Sequence, residues 1–274
     1  MSLWSVETTP EGIVVASYTN PPRNYFTTAG TAELASLIRG WRDPAPRVVV
    51  LTGGPPDLFI THYSVEELLA LARDPEAARR QGPAANRGYH DLLRNLRSLP
   101  FPIIAAMNGD TMGGGFELSL SCDIRIARSG DHRFGLPEAT LGILPGGSGT
   151  QRLARLIGAG RAIEFILRGR ICTASEAHDL GLVHEVAEDP RSRALEIATE
   201  LCSRPAVALA QIKRAVYQGS DVGLDAGLEI ESAAFVETLT SPEARGLMEE
   251  YVALPVEDRR AWLDALSDQA SKGR

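Results

Sequence analysis

Near its middle the chain has the sequence Asn108-Gly109-Asp110-Thr111-Met112-Gly113-Gly114-Gly115-Phe116-Glu117-Leu118, directly after an apolar run at residues 103–107. Three consecutive glycines carry no Cβ, so the backbone can approach a ligand closely and leave N–H groups facing it. If a helix begins near Phe116, its positive N-terminal end adds to the same field, with Glu117 one turn inside. These residues predict an oxyanion site beside a carboxylate. The alternative interpretation is a glycine-rich turn between a strand and a helix, with a solvated glutamate.

Length and composition indicate one large domain, or one domain with an appendage, because 274 residues with 44% hydrophobic content can bury a sizeable core. No apolar run approaches the roughly 18 residues that a membrane span needs. The first ten residues lack the basic and apolar regions of a signal peptide. The three cysteines are odd in number and widely separated, as is typical of reduced thiols. We therefore predict a cytoplasmic protein with no membrane association and no metal site.

The charge balance argues against a nucleic-acid partner. The formal net charge is -7 and the sequence pI is about 5.4, with no stripe of basic residues. Lys213 and Lys272 are the only lysines of the sequence, so arginine supplies nearly all positive charge. Phosphates on a ligand are therefore expected to be held by arginine side chains or by backbone N–H groups.

Strands and helices alternate up to about residue 204. Short apolar runs typical of buried strands lie at residues 13–18, 48–52, 103–107, 123–127 and 182–186. Helical patterns lie at residues 65–73 and 86–98, and around Leu34, Leu37, Ile38 and Trp41, which share one helix face. The alternation predicts an α/β core.

The last part of the chain is predicted to be helical only. Its helical segments lie at residues 206–218, 223–239, 242–252 and 256–267. We therefore divide the chain into a core at residues 1–204 and a helical region at residues 205–274.

Two familiar motifs are absent from the glycine-rich residues 142–149. They hold neither GxGxxG nor a Gly-Lys pair, which makes a dinucleotide or Walker-type phosphate site unexpected. Residues 146–150 miss a nucleophile elbow only at the last position, which is Thr150, so we interpret Ser148 as a turn residue.

A second glutamate, Glu138, precedes the glycine-rich residues 142–149, and this makes a family resemblance specific. Together with the central stretch, the chain resembles the crotonase superfamily of enoyl-CoA hydratases and isomerases at residues 20–24, 48–53, 122–127, 134–138 and 141–153. The resemblance implies a crotonase (ClpP-like) α/β fold of repeated ββα units, with two sheets set across each other and a helical C-terminal region. It also implies a homo-trimer, or a dimer of trimers, built by that helical region.

The resemblance further implies a mechanism. In family hydratases the thioester oxygen of an acyl-CoA lies between two backbone N–H groups, which by motif position are those of Tyr63 and Gly114 here. Glu117 and Glu138 match the two catalytic glutamates, which hold one water, activate it toward Cβ and deliver a proton to Cα. Because two close carboxylates do not both ionise easily, one of them is expected to have a raised pKa. Coenzyme A enters as part of the substrate, and no tightly bound cofactor is expected. The other expected substrate-binding residues are Asn24, Phe59, Thr61, His62, Gly113, Pro137 and Gly146.

The first oxyanion segment departs from the family pattern. Where members usually have Phe-x-Ala-Gly-Ala/Gly-Asp, residues 59–64 are Phe-Ile-Thr-His-Tyr-Ser. His62 stands where a glycine has access to positive φ, and such a conformation is costly for histidine. The Tyr63 side chain is expected to fill part of the acyl pocket. We favour His62 as a polar residue turned away from the site over a catalytic histidine, and give His90 no role.

The tail also departs, because residues 249–255 are acidic and apolar where many members have a basic segment that meets CoA phosphates. Arg259 and Arg260 follow later and are candidates to bind the CoA phosphates instead.

Three functions therefore stay open. The first is hydration of a 2-enoyl-CoA, favoured by the presence of Glu117. The second is another crotonase-fold reaction, either Δ3,Δ2-enoyl-CoA isomerisation or hydrolysis of a C–C bond in a free diketone. The third is a non-catalytic scaffold.

Overall fold

The computed structural model describes residues 2–268, so Lys272 and the rest of the predicted helical region at 269–274 lie outside the described residues. The strands are β1 Trp4–Thr8, β2 Ile13–Tyr18, β3 Val48–Gly53, β4 Asp57–Leu58, β5 Ile103–Met107, β6 Gly109–Met112, β7 Ile124–Arg128, β8 Phe134–Gly135, β9 Ile171–Cys172 and β10 Glu185–Ala187. The α-helices of the core are α1 Thr28–Gly40, α2 Val65–Ala72, α3 Pro75–Gln81, α4 Arg87–Arg97, α5 Gly113–Ser119, α6 Gly149–Ile157, α7 Ala159–Leu167, α8 Ala174–Asp179 and α9 Pro190–Cys202. Then follow α10 Ala206–Ser220, α11 Leu224–Leu239, α12 Pro242–Ala253 and α13 Arg259–Asp268, and short 3-10 helices lie at Gly82–Ala84, Glu138–Leu141 and Val256–Asp258.

The larger sheet has six strands in the order β1-β2-β3-β5-β7-β10. Its first pair is antiparallel and the others are parallel. Every residue of β2, β3 and β5 is buried, because parallel strands covered on both faces are apolar throughout. Alternate residues face two cores. Val14 and Val49 point into the larger core, whereas Ile13 and Val48 point into a smaller one covered by α9.

The smaller sheet has four short strands in the order β4-β6-β8-β9. β6 begins two residues after β5 ends, and α5 follows β6 without a gap. This connection carries the glycine-rich stretch out of the large sheet and into a helix whose seven residues are all buried. The architecture is the predicted α/β fold of two sheets and many helices.

The strands at 13–18 and 103–107 are confirmed at both ends. Helix α5 begins at Gly113 and not near Phe116, so its N-terminal turn consists of the glycines themselves. The predicted strand at 182–186 is wrong at its start, since β10 begins at Glu185. The two-residue strands β4, β8 and β9 carry no periodic signal, because partners distant in the sequence define them.

The helices after residue 204 contact the core through α10. Lys213 Nζ donates to Asp123 Oδ2 at 2.7 Å and Tyr217 Oη donates to Asp123 Oδ1 at 2.8 Å. α10 has no buried residue, and α11 buries only Ala234. The division of the chain near residue 204 stays a prediction. Across residues 2–268, none of the helices combines the length and the apolar character that crossing a membrane requires.

Candidate active site

Glu117 lies on α5, one turn after Gly113, with its carboxylate inside the protein at 2% exposure. Its Oε1 accepts hydrogen bonds from the backbone N–H of Gly147 at 2.7 Å and of Gly149 at 2.6 Å. Burial raises the pKa of Glu117 to about 8, with a further rise from the charge of Glu138. The two N–H donors act in the opposite direction, because they stabilise the ionised form. Glu117 is therefore a carboxyl group that changes protonation near neutral pH.

Glu138 begins the 3-10 helix that follows Pro137, and it is 8% exposed. Its Oε2 is buried and has no hydrogen-bond partner in the described part of the chain. Burial raises the pKa of Glu138 to about 7. A Cβ at Gly113 would lie 3.0 Å from Glu138 Oε1, so this carboxyl group contacts the first turn of the helix that carries Glu117. The sequence predicts a raised pKa for one of the two glutamates, whereas the pKa values of both Glu117 and Glu138 are raised.

The backbone of Tyr63 lies against that of Gly114. A Cβ at Gly114 would be 3.3 Å from the Tyr63 backbone nitrogen and 2.8 Å from Tyr63 Cβ, so only glycine fits there without a shift. Gly114 is the second residue of α5, where backbone N–H groups have no acceptor within the helix. Within residues 2–268, neither its N–H nor that of Tyr63 donates a hydrogen bond. Two free N–H donors therefore lie side by side.

A short backbone pairing holds Tyr63 in this position. Phe26 N–H donates to His62 O at 2.8 Å, and Ser64 N–H donates to Phe26 O at 2.7 Å, which forms an isolated parallel bridge between Phe26 and Tyr63. The bridge uses the groups on either side of residue 63 and leaves the Tyr63 N–H out. This pairing fixes the segment without the small residues that the family pattern has there.

The altered residues His62 and Tyr63 fit without the expected cost. His62 does not adopt positive φ, which among described non-glycine residues occurs at Asn24, Asp57 and Ser148. The expectation that His62 adopts a costly positive φ is therefore wrong. The His62 ring stacks on Tyr25 with centroids 4.2 Å apart. The Tyr63 ring packs 5.6 Å from the ring of Tyr89.

Three residues predicted to bind substrate are built into the scaffold instead. Asn24 is 0% exposed, and its Nδ2 donates to the carbonyl oxygens of Tyr18 and Phe59. Phe59 is also fully buried in the larger core. Thr61 Oγ1 donates to the carbonyl of Arg23 at 2.5 Å. These side chains offer no free polar atom to a ligand, because each is already bonded or enclosed, and we correct their assignment to positioning the 59–64 segment.

The remaining predicted residues lie around the carboxyl groups. Gly113 has φ +49° and contacts Glu138, and Pro137 directly precedes that glutamate. The carbonyl of Gly146 is 2.7 Å from His90 Nε2 and accepts from Asn86 Nδ2 at 2.7 Å. That His90 has no catalytic role stays a prediction, and its ring contacts the turn that donates to Glu117.

Tyr89 is a site residue that the sequence did not reveal. Its hydroxyl donates to the carbonyl of Gly114, and a Cβ at Gly147 would lie 2.4 Å from its Cε1. The ring thus fills the space between the oxyanion segment and the turn beside Glu117. The only sequence signal was the position of Tyr89 on the buried face of an amphipathic helix, which is equally typical of a core residue.

The arrangement brings together two N–H donors and two carboxyl groups that titrate near neutral pH. Free N–H groups stabilise negative charge that develops on a carbonyl oxygen, and such carboxyl groups can give and take protons. Across residues 2–268, no three His, Cys, Asp or Glu side chains are grouped so that they could hold a metal ion.

Comparison with known proteins gives a consistent result. The family model described as enoyl-CoA hydratase/isomerase matches residues 8–260. The short-chain-enoyl-CoA hydratase of Clostridium acetobutylicum is 37% identical over 206 residues, which cover 74% of this chain and 76% of that protein. The enoyl-CoA isomerase/hydratase fer4 of Mycosarcoma maydis is 35% identical over 213 residues, covering 76% and 74%. The crystal structure of an enoyl-CoA hydratase from Bacillus anthracis superposes with a TM-score of 0.82 at 34% identity, covering 90% of this chain and 95% of that chain.

Proposed function

The chain belongs to the enoyl-CoA hydratase/isomerase family and is an enzyme of that family, and on this premise we propose that it adds water across the 2,3 double bond of a 2-enoyl-CoA. The crotonase resemblance of the sequence is confirmed by the matched family and by the solved structures. Hydratase activity agrees with the names of relatives at 32–39% identity. The roles of individual residues below are part of the proposal.

The thioester carbonyl oxygen binds between the N–H groups of Tyr63 and Gly114. When hydroxide adds to C3, electrons move through C2 toward the carbonyl, and the oxygen gains negative charge. The two donors stabilise that charge where it forms, and one donor of this kind is typically worth about 3 kcal/mol. Their proximity, with neither donor used elsewhere in the described chain, supports this role.

Glu117 and Glu138 hold the water that is added. One of them is ionised and takes a proton from the water as its oxygen bonds to C3. The other is protonated and delivers its proton to C2, so that H and OH are both accounted for. Burial, which raises both pKa values, supports the sharing of a single proton between the two groups at neutral pH. A proton shared in this way suits an acid and a base that exchange roles during one turnover.

One observation carries the proposal more than any other. Two buried carboxyl groups with pKa values of about 8 and about 7 lie beside a pair of free backbone N–H groups. The test is an assay of crotonyl-CoA hydration. The reaction is monitored by the loss of absorbance of the conjugated thioester, and the product is identified by its mass. A folded wild-type protein that turns over no enoyl-CoA ends the proposal.

Isomerisation of a 3-enoyl-CoA is a second candidate, because Glu138 Oε2 has no partner among the described residues and one carboxyl group can move a proton between C4 and C2. The relative from Mycosarcoma maydis has both activities in its name. Conversion of a 3-enoyl-CoA to a conjugated product tests this activity separately.

The diketone hydrolase and the scaffold have weaker support. The altered segment at residues 61–64 motivates a CoA-independent reaction, yet Tyr63 keeps its N–H beside Gly114 without positive φ at His62. The buried glutamate pair argues against a scaffold that has lost turnover. Neither alternative is proposed further.

Coenzyme A enters as part of the substrate, and no tightly bound cofactor is part of the proposal. The contribution of the tail to CoA binding is limited for Arg259, whose guanidinium donates to the carbonyls of Val252 and Leu254. Arg260 pairs with Asp264 on the same helix at 3.8 Å, and its side chain is 92% exposed. Action in the cytoplasm stays a prediction from the sequence.

We further propose a homo-trimer, or a dimer of trimers, that uses the helices after residue 204. These helices expose many large apolar side chains, which a surface rarely leaves in contact with water. Those on α10 and α11 are Ile212, Val216, Leu224, Leu228, Phe235, Val236 and Leu239. A second copy of the chain with the same composition is the proposed occupant of this surface.

A further inference from the structure

The turn at residues 147–149 points two backbone N–H groups at a single oxygen of Glu117. N–H groups of residues two apart converge in this way when the residue between them is left-handed, which forms a small anion-binding concavity. Ser148 has φ +84° and ψ 5°, so it supplies that conformation. A non-glycine residue is rarely found in this region, and the surroundings must stabilise it.

Only the middle residue of the turn can carry a side chain. A Cβ at Gly147 would lie 2.5 Å from Glu117 Oε2, and 2.4 Å from Tyr89 Cε1. A Cβ at Gly149 would lie 2.9 Å from Glu117 Oε1 and 2.8 Å from Pro145 Cβ. Both neighbours must therefore be glycine, so within residues 147–149 only Ser148 can contribute a side chain that holds the turn, in addition to the bonds of Asn86 and His90 to the Gly146 carbonyl.

The Ser148 side chain is held by Arg152. Arg152 Nε donates to Ser148 Oγ at 2.8 Å, and its Nη2 donates to the carbonyl of Leu93 on α4 at 3.3 Å. Ser148 precedes α6 but makes no side-chain bond to the helix N-terminus, so its hydroxyl serves the arginine and not the helix. The guanidinium thus ties the turn to a helix that is distant in the sequence.

We propose that Ser148 and Arg152 are positioning residues for the hydration reaction, acting as one latch that keeps the Gly147 and Gly149 N–H groups on Glu117. The proposal rests on the proposed function, because it assumes that Glu117 takes part in water addition. Neither residue is assigned a contact with substrate. Ser148 acts on the carboxylate through the two N–H groups, whereas Arg152 acts through Ser148 and also through its own charge.

The latch has an electrostatic consequence. Glu117 faces the carboxyl group of Glu138, which raises its pKa, and the guanidinium of Arg152, which lowers it. The Tyr89 hydroxyl also lies nearby, and it stays neutral because burial raises its pKa well above 10. Loosening the turn weakens two bonds to the ionised form of Glu117, so its pKa rises further in variants that lack the latch.

The experiment compares Ser148→Ala, Ser148→Gly, Arg152→Met and the double variant Ser148→Ala with Arg152→Met. Two readouts are used, namely kcat and KM for crotonyl-CoA hydration, and infrared titration of the Glu117 carboxyl band in ligand-free protein, assigned with Glu117→Gln. Arg155→Met is the matched control, because this arginine is on the same helix, is about half exposed and bonds to Asp221 and Gln151.

We expect Ser148→Ala to lower kcat about tenfold with KM within about twofold, since the N–H groups contact the acid-base group and not the substrate. Ser148→Gly is expected to lose less, because glycine tolerates the left-handed conformation that alanine does not. The double variant is expected to be no worse than Arg152→Met alone, as for two residues that act as one unit. The Glu117 band titrates at higher pH in every latch variant and is unchanged in Arg155→Met.

Additive effects in the double variant, or an unchanged kcat and Glu117 titration in Ser148→Ala, would overturn the latch. Circular dichroism and thermal unfolding of each variant separate loss of folding from loss of positioning. A wild-type protein without hydration activity ends the proposed function, and the infrared titration still decides whether the latch acts on Glu117.

Discussion

The backbone N–H of Gly149 donates to Glu117 Oε1 at 2.6 Å across 32 residues of sequence. This bond, with that of Gly147, fixes one carboxyl group of the pair, whereas Glu138 Oε2 has no partner among the described residues. The two glutamates are therefore unequal. One is held by donors that favour its ionised form, and the other keeps one carboxyl oxygen without a partner among the described residues.

Glu117→Gln and Glu138→Gln are expected to separate the two activities of the family. Loss of acid-base catalysis typically costs about 10²- to 10⁴-fold, so each variant should lose hydration by at least 10²-fold. Isomerisation of a 3-enoyl-CoA, if the protein has it, should be lost in Glu138→Gln and largely kept in Glu117→Gln. Parallel assays with crotonyl-CoA and a 3-enoyl-CoA check this, with CoA binding measured by calorimetry as the control for an intact site. Full hydration activity in either variant contradicts the mechanism.

The hydration rate is expected to have a bell-shaped dependence on pH. The pair titrates with pKa values of about 7 and about 8, both raised by burial. Below this range both groups are protonated and no base remains, and above it both are ionised and no acid remains. The measurement is kcat/KM for crotonyl-CoA from pH 5 to pH 10. A rate that is flat through this window rules out the shared proton.

The same raised pKa values predict that Glu117 destabilises the fold at alkaline pH. In the unfolded chain its carboxyl group titrates near 4.5, whereas in the folded protein it titrates at about 8. The folded state therefore holds the proton more tightly, and stability falls as the pH rises from about 4.5 through 8. Glu117→Gln cannot ionise, so its stability relative to the wild type should increase over this range by a few kcal/mol. Urea unfolding at pH 5 and pH 9 checks the sign, and an equal difference at both pH values contradicts it.

Gly114→Ala is expected to damage the oxyanion site without unfolding the protein. The added Cβ would lie 2.8 Å from Tyr63 Cβ and 3.3 Å from its nitrogen, which forces the two donors apart. Hydration should fall about 10²-fold, as for loss of one donor. Gly88→Ala is the matched control, since a Cβ there has nothing within 4 Å. Crotonyl-CoA kinetics and thermal unfolding of both variants give the comparison, and equal activity in the two would remove Gly114 from the site.

Phe235→Glu is expected to weaken the proposed trimer. Phe235 is 60% exposed on α11, and a charge at that position would have to be desolvated in an interface. Light scattering coupled to size-exclusion chromatography should show a smaller species for this variant at micromolar concentration. Glu229→Gln, an exposed change on the same helix, should leave the assembly intact. A monomeric wild-type protein would remove the basis of the assembly proposal.

Local sequence patterns predicted the parts of the fold whose residues interact with near neighbours. The apolar runs of β2 and β5 are present as expected. Helix α5 begins three residues before the predicted start, because glycine has a low helix propensity that only the packing of the buried helix overrides. Helix α9 was not predicted, although Asp189 caps it and its buried residues, Pro190, Ala194, Ile197 and Ala198, follow helical spacing.

The sequence by itself determined that two glutamates, each beside a glycine turn, belong to one α/β fold, because glycine spacing and apolar periodicity are properties of neighbouring residues. Only the tertiary structure decided which groups meet. It enclosed Asn24 and Phe59 in the scaffold and used the Ser148 turn to hold Glu117, whereas the pairing of the Tyr63 and Gly114 N–H groups was already implied by the family resemblance. These contacts join segments that are tens of residues apart, and their geometry follows from sheet pairing and core packing, which no local pattern encodes.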